Sequence, residues 1–502
     1  MKKIFSLIAV LGLLISSSCD DAIDIKQEGE LTEQALFETS DDLQDFLVGN
    51  VYSFVSVDNE IGFTANFTDE IGIGPGNGGQ GTELFRYILT PAEGYASSLW
   101  LGKYSLINRV NRLIRGATLI TVADEADQQR VNSIIAEARA LRAFAYMQLL
   151  AFYSPDMTDP DALGVMLLDF VPEVDTKLPR VRNAEIFALI EADLAYAQAN
   201  LVLPDPVPAN QYKYVTQDFI NATYARFYLY SGNHTLAKQY AQQAIDQSGL
   251  TLTPATPYNA ANFYTAGTTN PYRRMWADAA APAGRGEILF ALSRPTVGGG
   301  GSIGGTFFFN TTEITGGAFF NMGLNLFNEL NENAGDIRRL AFVDPTSTAE
   351  DKIIDKYPGK TNAPLRNDIK VYRISEMFLI LAECAVVENQ LATAAGYIKN
   401  IRDARSRTGA VALPVYADAQ AAWADIVDER RKELCFEGHR YIDLKRLGVL
   451  ANRAIDRNPS DDILAATPLT LPTTDYRFTL PIPQTEIQGN PNIRSQQNPG
   501  YN

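Results

Sequence analysis

Histidine, cysteine and tryptophan are all scarce: the 502 residues hold two, three and three of them. His234 and His439 stand alone, with no second ligand at helical spacing from either, so zinc chemistry of the usual type has nothing to use. The cysteines are Cys19, Cys384 and Cys435; the last two, each inside a predicted helix, exclude a disulfide framework and read as small apolar core residues. Positive charge is short as well, 43 Lys and Arg against 59 Asp and Glu, and a net charge of −16 repels nucleic acid and anionic lipid as direct partners. The apolar run from Ile4 to Ile15 falls short of the about 20 residues that cross a hydrocarbon core, so it reads as a secretory leader and not as a membrane span.

Catalytic signatures are equally thin. Gly300, Ser302 and Gly304 match G-x-S-x-G, but a nucleophile elbow needs a strand before it and a helix directly after, and Phe307, Phe308 and Phe309 follow instead; a glycine loop is the ordinary reading. Gly74, Gly76 and Gly79 fit G-x-G-x-x-G with Pro75 inside the match and no strand–helix–strand alternation around it, which excludes a dinucleotide site. Glu433 and Glu437 lie one helical turn apart and could pose as a glycosidase acid pair. Arg430, Arg431 and Arg440 stand close in sequence, and pairing with them would hold both carboxylates ionised and spoil a general acid. No catalytic residue, metal ligand or cofactor site is assigned.

What is present is hydrophobic substance, 46% of residues, enough for a large core. Lys2 and Lys3, the apolar run and Ser16 to Ser18 lead to Cys19, an order that looks like the lipobox of a bacterial lipoprotein with its aliphatic residue one place early, at Ile15. Residues 1–18 are thus expected to be a leader cleaved before Cys19, acylated to hold the chain on a membrane, and residues 19–40 a polar tether. The acids Asp20, Asp21 and Asp24 resemble a surface-export signal of Bacteroidetes lipoproteins. One folded domain is expected over 41–502.

Helical periodicity begins behind Ser40 or Asp41, breaks into a long loop from Asp58 to Gly81, and resumes in hairpins near 98–153, 183–249 and 374–450. Tyr224, Ala225 and Tyr228, with Ala237 and Ala244 at 12 and 19 residues from Ala225, form a tetratricopeptide frame, in which small residues sit where two helices cross. The frame recurs at Leu381, Ala382, Ala394 and Ile398. Residues 250–370 form an insertion of loops and short strands, and Leu471 to Asn502 a proline-punctuated tail without helical rhythm. The fold class that follows is mainly α, tetratricopeptide-like hairpins with long loops and a few inserted strands.

The densest charge lies in Glu429 to Arg446, ERRKELCFEGHRYIDLKR, either an active site or an ion-paired junction of two helices at Gly438; the lack of any catalytic group elsewhere favours the junction. This stretch, with RALRAFAYMQLLAFY at 139–153, VYRISEMFLILAECAV at 371–386 and LPIPQTEIQGNPNIRSQQNPGY at 480–501, resembles the SusD/RagB family, surface lipoproteins that capture nutrients for TonB-dependent transporters in Bacteroidetes. The relaxed lipobox, and His439 with Tyr441, depart from the family pattern. The resemblance implies a lipid-anchored, non-catalytic binding protein of the outer membrane, seated as a lid on a SusC-like β-barrel transporter.

No motif carries the family's ligand residues over. Sugar rings present C–H faces to aromatic planes and hydroxyls to polar groups, so the expected ligand residues are loop aromatics beside amides and acids. These are Phe67, Asp69 and Tyr95 in one loop and Tyr264, Tyr272 and Trp276 in the insertion, whereas Trp100 is expected in the core of its helix. An oligosaccharide is the first expectation for the ligand and an oligopeptide the second. A surface glycosidase with an unlocated acid pair, and a purely structural partner of the transporter, complete the alternatives.

Overall fold

Five of the long helices begin where a polar side chain, Glu93, Asp124, Thr216, Asn233 or Asp418, accepts one of the first free amides. The computed structural model describes residues 33–280, 284–297, 302–308, 317–462 and 468–501; the expected leader, Cys19 and most of the tether lie outside the described residues. After α1 (Ser40–Phe46) and α2 (Asp58–Phe67) come α3 (Gly94–Gly116) and α4 (Glu125–Tyr153), the latter capped by Asp124, whose carboxylate accepts from Asp127 N. α5 (Asn183–Asn200) packs on α4. α6 (Gln217–Tyr230) starts on Thr216, and α7 (His234–Ser248) starts on Asn233 and stops at Gly249, whose positive φ suits a residue without Cβ.

Beyond the insertion, α8 (Ile374–Val387) and α9 (Leu391–Arg405) form one hairpin, and α10 (Ala419–Leu434), capped by Asp418, and α11 (Arg440–Ala451) another. α7 packs against α8 and so joins the second set of hairpins to the third. The seams are small, as the repeat spacing requires. Ala225, Ala237 and Ala244 are fully buried in the first frame, and Ala382, Ala394 and Ile398 in the second. Tyr240, one place early for the usual aromatic, compensates by stacking on Tyr224 at 4.2 Å between ring centroids.

The alanine-rich half of α4 runs through the middle of the molecule, and every residue from Ala140 to Tyr153 is buried. The fold is therefore mainly helical, as expected, with two-residue to five-residue strands set into it. The insertion contributes β2 (Ile288–Leu292), paired antiparallel with β4 (Ile369–Arg373) and buried along its whole length. β1 (Ile71–Ile73) pairs antiparallel with β3 (Phe320–Met322), Ile71 opposite Met322.

Two stretches differ from expectation. Asp58 to Gly81 is not one long loop but α2 followed by β1, because α2 is buried from Glu60 to Phe67 and has no polar face for periodicity to reveal. The tail from Leu471 holds a six-residue helix, Gln484–Gly489, and is tied down: Leu480, Ile482 and Ile493 are fully buried, and Asn498 Nδ2 donates to Tyr153 O at the end of α4 at 2.9 Å. Cys384 lies within α8, whereas Cys435 directly follows α10; both are buried and free.

Candidate functional site

Glu429 to Arg446 forms the turn between α10 and α11, with Phe436 and Gly438 both at positive φ. Its three glutamates are buried at their carboxylates but do not pair with the neighbouring arginines. Glu433 instead meets Arg373 at 2.8 Å and Arg405 at 2.7 Å, and both guanidiniums share Glu287. Glu437 takes Lys356 and Arg373, each at 2.7 Å, and Glu429 takes Arg338 at 2.6 Å. The neighbouring arginines turn elsewhere, Arg430 to Asp443 and Glu383, Arg440 and Arg431 to Asp69.

Burial alone would raise these acids; the opposing charges of Arg405 and Arg373 outweigh it and hold Glu433 well below the usual carboxylate range, and Arg373 and Lys356 hold Glu437 down likewise. Neither can donate a proton near neutrality. The stretch is an ion-paired junction in the core. His439 is buried in it, and the charge around it is positive, so burial and Arg226 keep the imidazole neutral.

Four of the six expected ligand residues belong to this core and are out of reach of a ligand. Phe67 is fully buried, edge-on to Tyr87 and Tyr441. Asp69 is 1% exposed and bridges to Arg440 Nε at 2.8 Å. Tyr272 lies under the Arg405 guanidinium, 4.6 Å from the ring centroid, and Trp276 under the Lys356 ammonium at the same distance. Aromatics and an acid close together in sequence looked like a binding set; they line the buried network because buried cations favour ring faces. Tyr95 is partly buried, its ring packed where Gly62 leaves room on α2. Trp100 is in the core, as expected, its Nε1 donating to Glu486 Oε2 at 3.1 Å.

Tyr264 is different. It is 37% exposed and stands at the edge of a cleft of about 440 Å³, a volume suited to a small ligand. The Arg273 guanidinium sits 5.3 Å from its ring centroid, fixed by an ion pair to Asp355 at 2.8 Å and a hydrogen bond to Ala341 O at 3.1 Å. Burial raises the Asp355 carboxyl to about 6 against the pull of Arg273. Thr265, Thr268 and Thr361 add hydroxyls, Pro345 and Pro358 apolar edges.

Sequence reasoning missed Arg274 and Asp344. The Arg274 guanidinium lines the cleft without a partner among the described residues. Among the described residues the Asp344 carboxylate accepts only within its own turn, from Thr346 N at 2.8 Å and from the Thr346 hydroxyl. The paired arginines of PYRRMW, where one is consumed by the fold and one is spare, were the available signal. The cleft thus combines one ring face, a spare cation, a spare carboxylate and hydroxyls, a set suited to holding a polyhydroxylated ligand and carrying no activated nucleophile. Of the G-x-S-x-G match, Gly300 lies outside the described residues, and Ser302 Oγ donates to Leu365 O at 2.8 Å, so its hydroxyl serves the fold.

Residues 320–501 match the sequence model of the SusD family. SusD-like protein P2 of Formosa agariphila is 25% identical over the whole of both chains. The crystal structure of a SusD superfamily protein from Bacteroides thetaiotaomicron superposes with a TM-score of 0.73 at 25% identity, covering 92% of this chain and all of the other. A laminarin-binding SusD-like protein gives 0.67 at 20% identity, covering 93% of this chain and all of its own.

Proposed function

We propose that the chain, whose residues 320–501 match the SusD family model, is a SusD-like, non-catalytic nutrient-binding lipoprotein of the cell surface that captures oligosaccharides. Its ligand site is the Tyr264 cleft. The observation that carries this reading is the composition of that cleft: an exposed ring fixed by a cation, beside groups that donate and accept hydrogen bonds to hydroxyls. That a protein of the same fold is described as laminarin-binding supports a glycan over a peptide. A SusC-like TonB-dependent transporter of the outer membrane is the proposed recipient, and Cys19 the proposed lipid attachment.

Calorimetric titration of the purified protein with panels of neutral oligosaccharides and oligopeptides tests this. Glycan binding, weakened about tenfold or more by Tyr264→Ala because a sugar–aromatic face is lost, is the expected result. Binding of peptides alone overturns the glycan reading in favour of an oligopeptide receptor. Turnover of a bound oligosaccharide overturns the non-catalytic one, and co-purification of the membrane-anchored protein with a β-barrel transporter checks the partner.

A further inference from the structure

A second cavity, of about 400 Å³, opens where the hairpin ends meet. It shares no residue with the Tyr264 cleft and differs from it in kind. One side is apolar: Trp423 on α10, Val387 at the end of α8, and Ile442, Leu447 and Leu450 on α11. Val387 and Leu450 are about half exposed, 50% and 49%, and leave apolar surface at the rim of the cavity.

The polar part of the lining centres on Lys445. Its Nζ donates to Ala151 O at 3.1 Å and Ser154 O at 2.7 Å, carbonyls at the end of α4, and no carboxylate stands within ion-pairing distance of it among the described residues. An ammonium carries three N–H groups, so one remains for whatever fills the cavity. The surrounding charges are already committed. Arg446 is held by Glu383 at 3.0 Å and Asp443 at 3.2 Å, and its guanidinium covers the Tyr230 ring. Asp156 Oδ1 accepts from Thr158 N and Oγ1 in its own turn. His234, at the start of α7, is kept neutral by burial. The result is a partly buried amine held by two carbonyls, with no carboxylate in ion-pairing distance among the described residues, beside apolar lining residues of an open cavity.

We propose that this cavity is a second binding site, for a small carboxylate with a hydrocarbon or aromatic body. The carboxylate accepts the remaining N–H of Lys445, and the body lies against Trp423, Leu447 and Leu450. A neutral molecule of the same shape gains the apolar contact but not the charge-assisted hydrogen bond.

Protonation makes the proposal specific. Desolvation brings the Lys445 ammonium down to about 7, with Asp156 pulling weakly the other way. A bound carboxylate favours the charged amine. At about pH 8, above that value, binding must therefore take up a proton from solution, and affinity falls as pH rises further.

The probes are octanoate and octanol, titrated calorimetrically into the full-length protein at about pH 8 in two buffers of different ionisation enthalpy. Octanoate is expected to bind about tenfold more tightly than octanol, as one hydrogen bond to a charged group allows, and to take up a fraction of a proton. Lys445→Met removes the preference and the proton uptake. Because that variant uncaps α4 and its folding can suffer, Leu450→Glu, at an exposed position on the rim, provides an independent check: it keeps the fold and weakens octanoate selectively. Equal affinity for both probes, absence of proton uptake, no binding of either, or unchanged octanoate binding in folded Leu450→Glu overturns the proposal.

Discussion

Removing the Glu433 carboxylate would leave Arg405 and Arg373 sharing Glu287, with Glu437 still on Arg373, and would take one acid from Arg338. Breaking a buried pair from one side costs about 3–5 kcal/mol, since the remaining charge keeps its desolvation penalty and loses its partner. Glu433→Ala, and Arg440→Ala through the stranded Asp69, are expected to lower the melting temperature strongly while the folded fraction keeps its affinity for oligosaccharide; thermal melts followed by titration check both halves. Glu70 behaves in the opposite sense. It is fully buried, receives the Phe436 amide at 3.1 Å, and desolvation raises its carboxyl to about 8. The folded state therefore holds a proton that the unfolded chain releases above about 4.3, so stability present below that pH is lost as pH rises through about 8. Glu70→Gln keeps the neutral shape and is expected to flatten this decline, with its largest gain at alkaline pH; urea unfolding across the range reads it directly.

The helical hairpins are the elements that the sequence displays most plainly, because their seams, caps and periods are all local. Ala225, Ala237 and Ala244 lie at the crossing of α6 and α7 with no exposed surface, so enlarging one of them forces the helices apart. Ala237→Leu is expected to cost about 1–3 kcal/mol in chemical denaturation, whereas the same change at exposed Ala421 on α10 costs almost nothing. Elements whose residues are buried on every side, such as α2, carry no such signature, and neither does the short helix Gln484–Gly489, which depends on contacts with chain far away in sequence. The expected ligand residues failed for a related reason. Phe67, Tyr272 and Trp276 have the composition of a recognition loop, and only the positions of Lys356, Arg405 and Tyr441, remote in sequence, decide that they face inward. Tyr264 alone combined the right chemistry with exposure, and its spare neighbours Arg274 and Asp344 became visible only when the fold had used up the other charges around them.

At the scale of the whole molecule, charge and chain path are linked. Asp69, near the start, is neutralised by Arg431 and Arg440, near the end, and Arg457 donates to the carbonyls of Thr68 and Phe67 at 2.8 and 2.9 Å. The tail closes the same circuit by returning to Tyr153 through Asn498. A chain that has not yet delivered its last seventy or so residues thus has an acid it can neither bury nor discharge, and the end of its central helix has no lid. On the proposal that the chain is exported, the order of arrival matters: the segment that neutralises Asp69 and covers the end of α4 is the last to emerge. A fragment ending at Glu429 should show this as rapid amide exchange throughout residues 125–153, where the complete chain exchanges slowly; protection of that helix in the fragment would count against it.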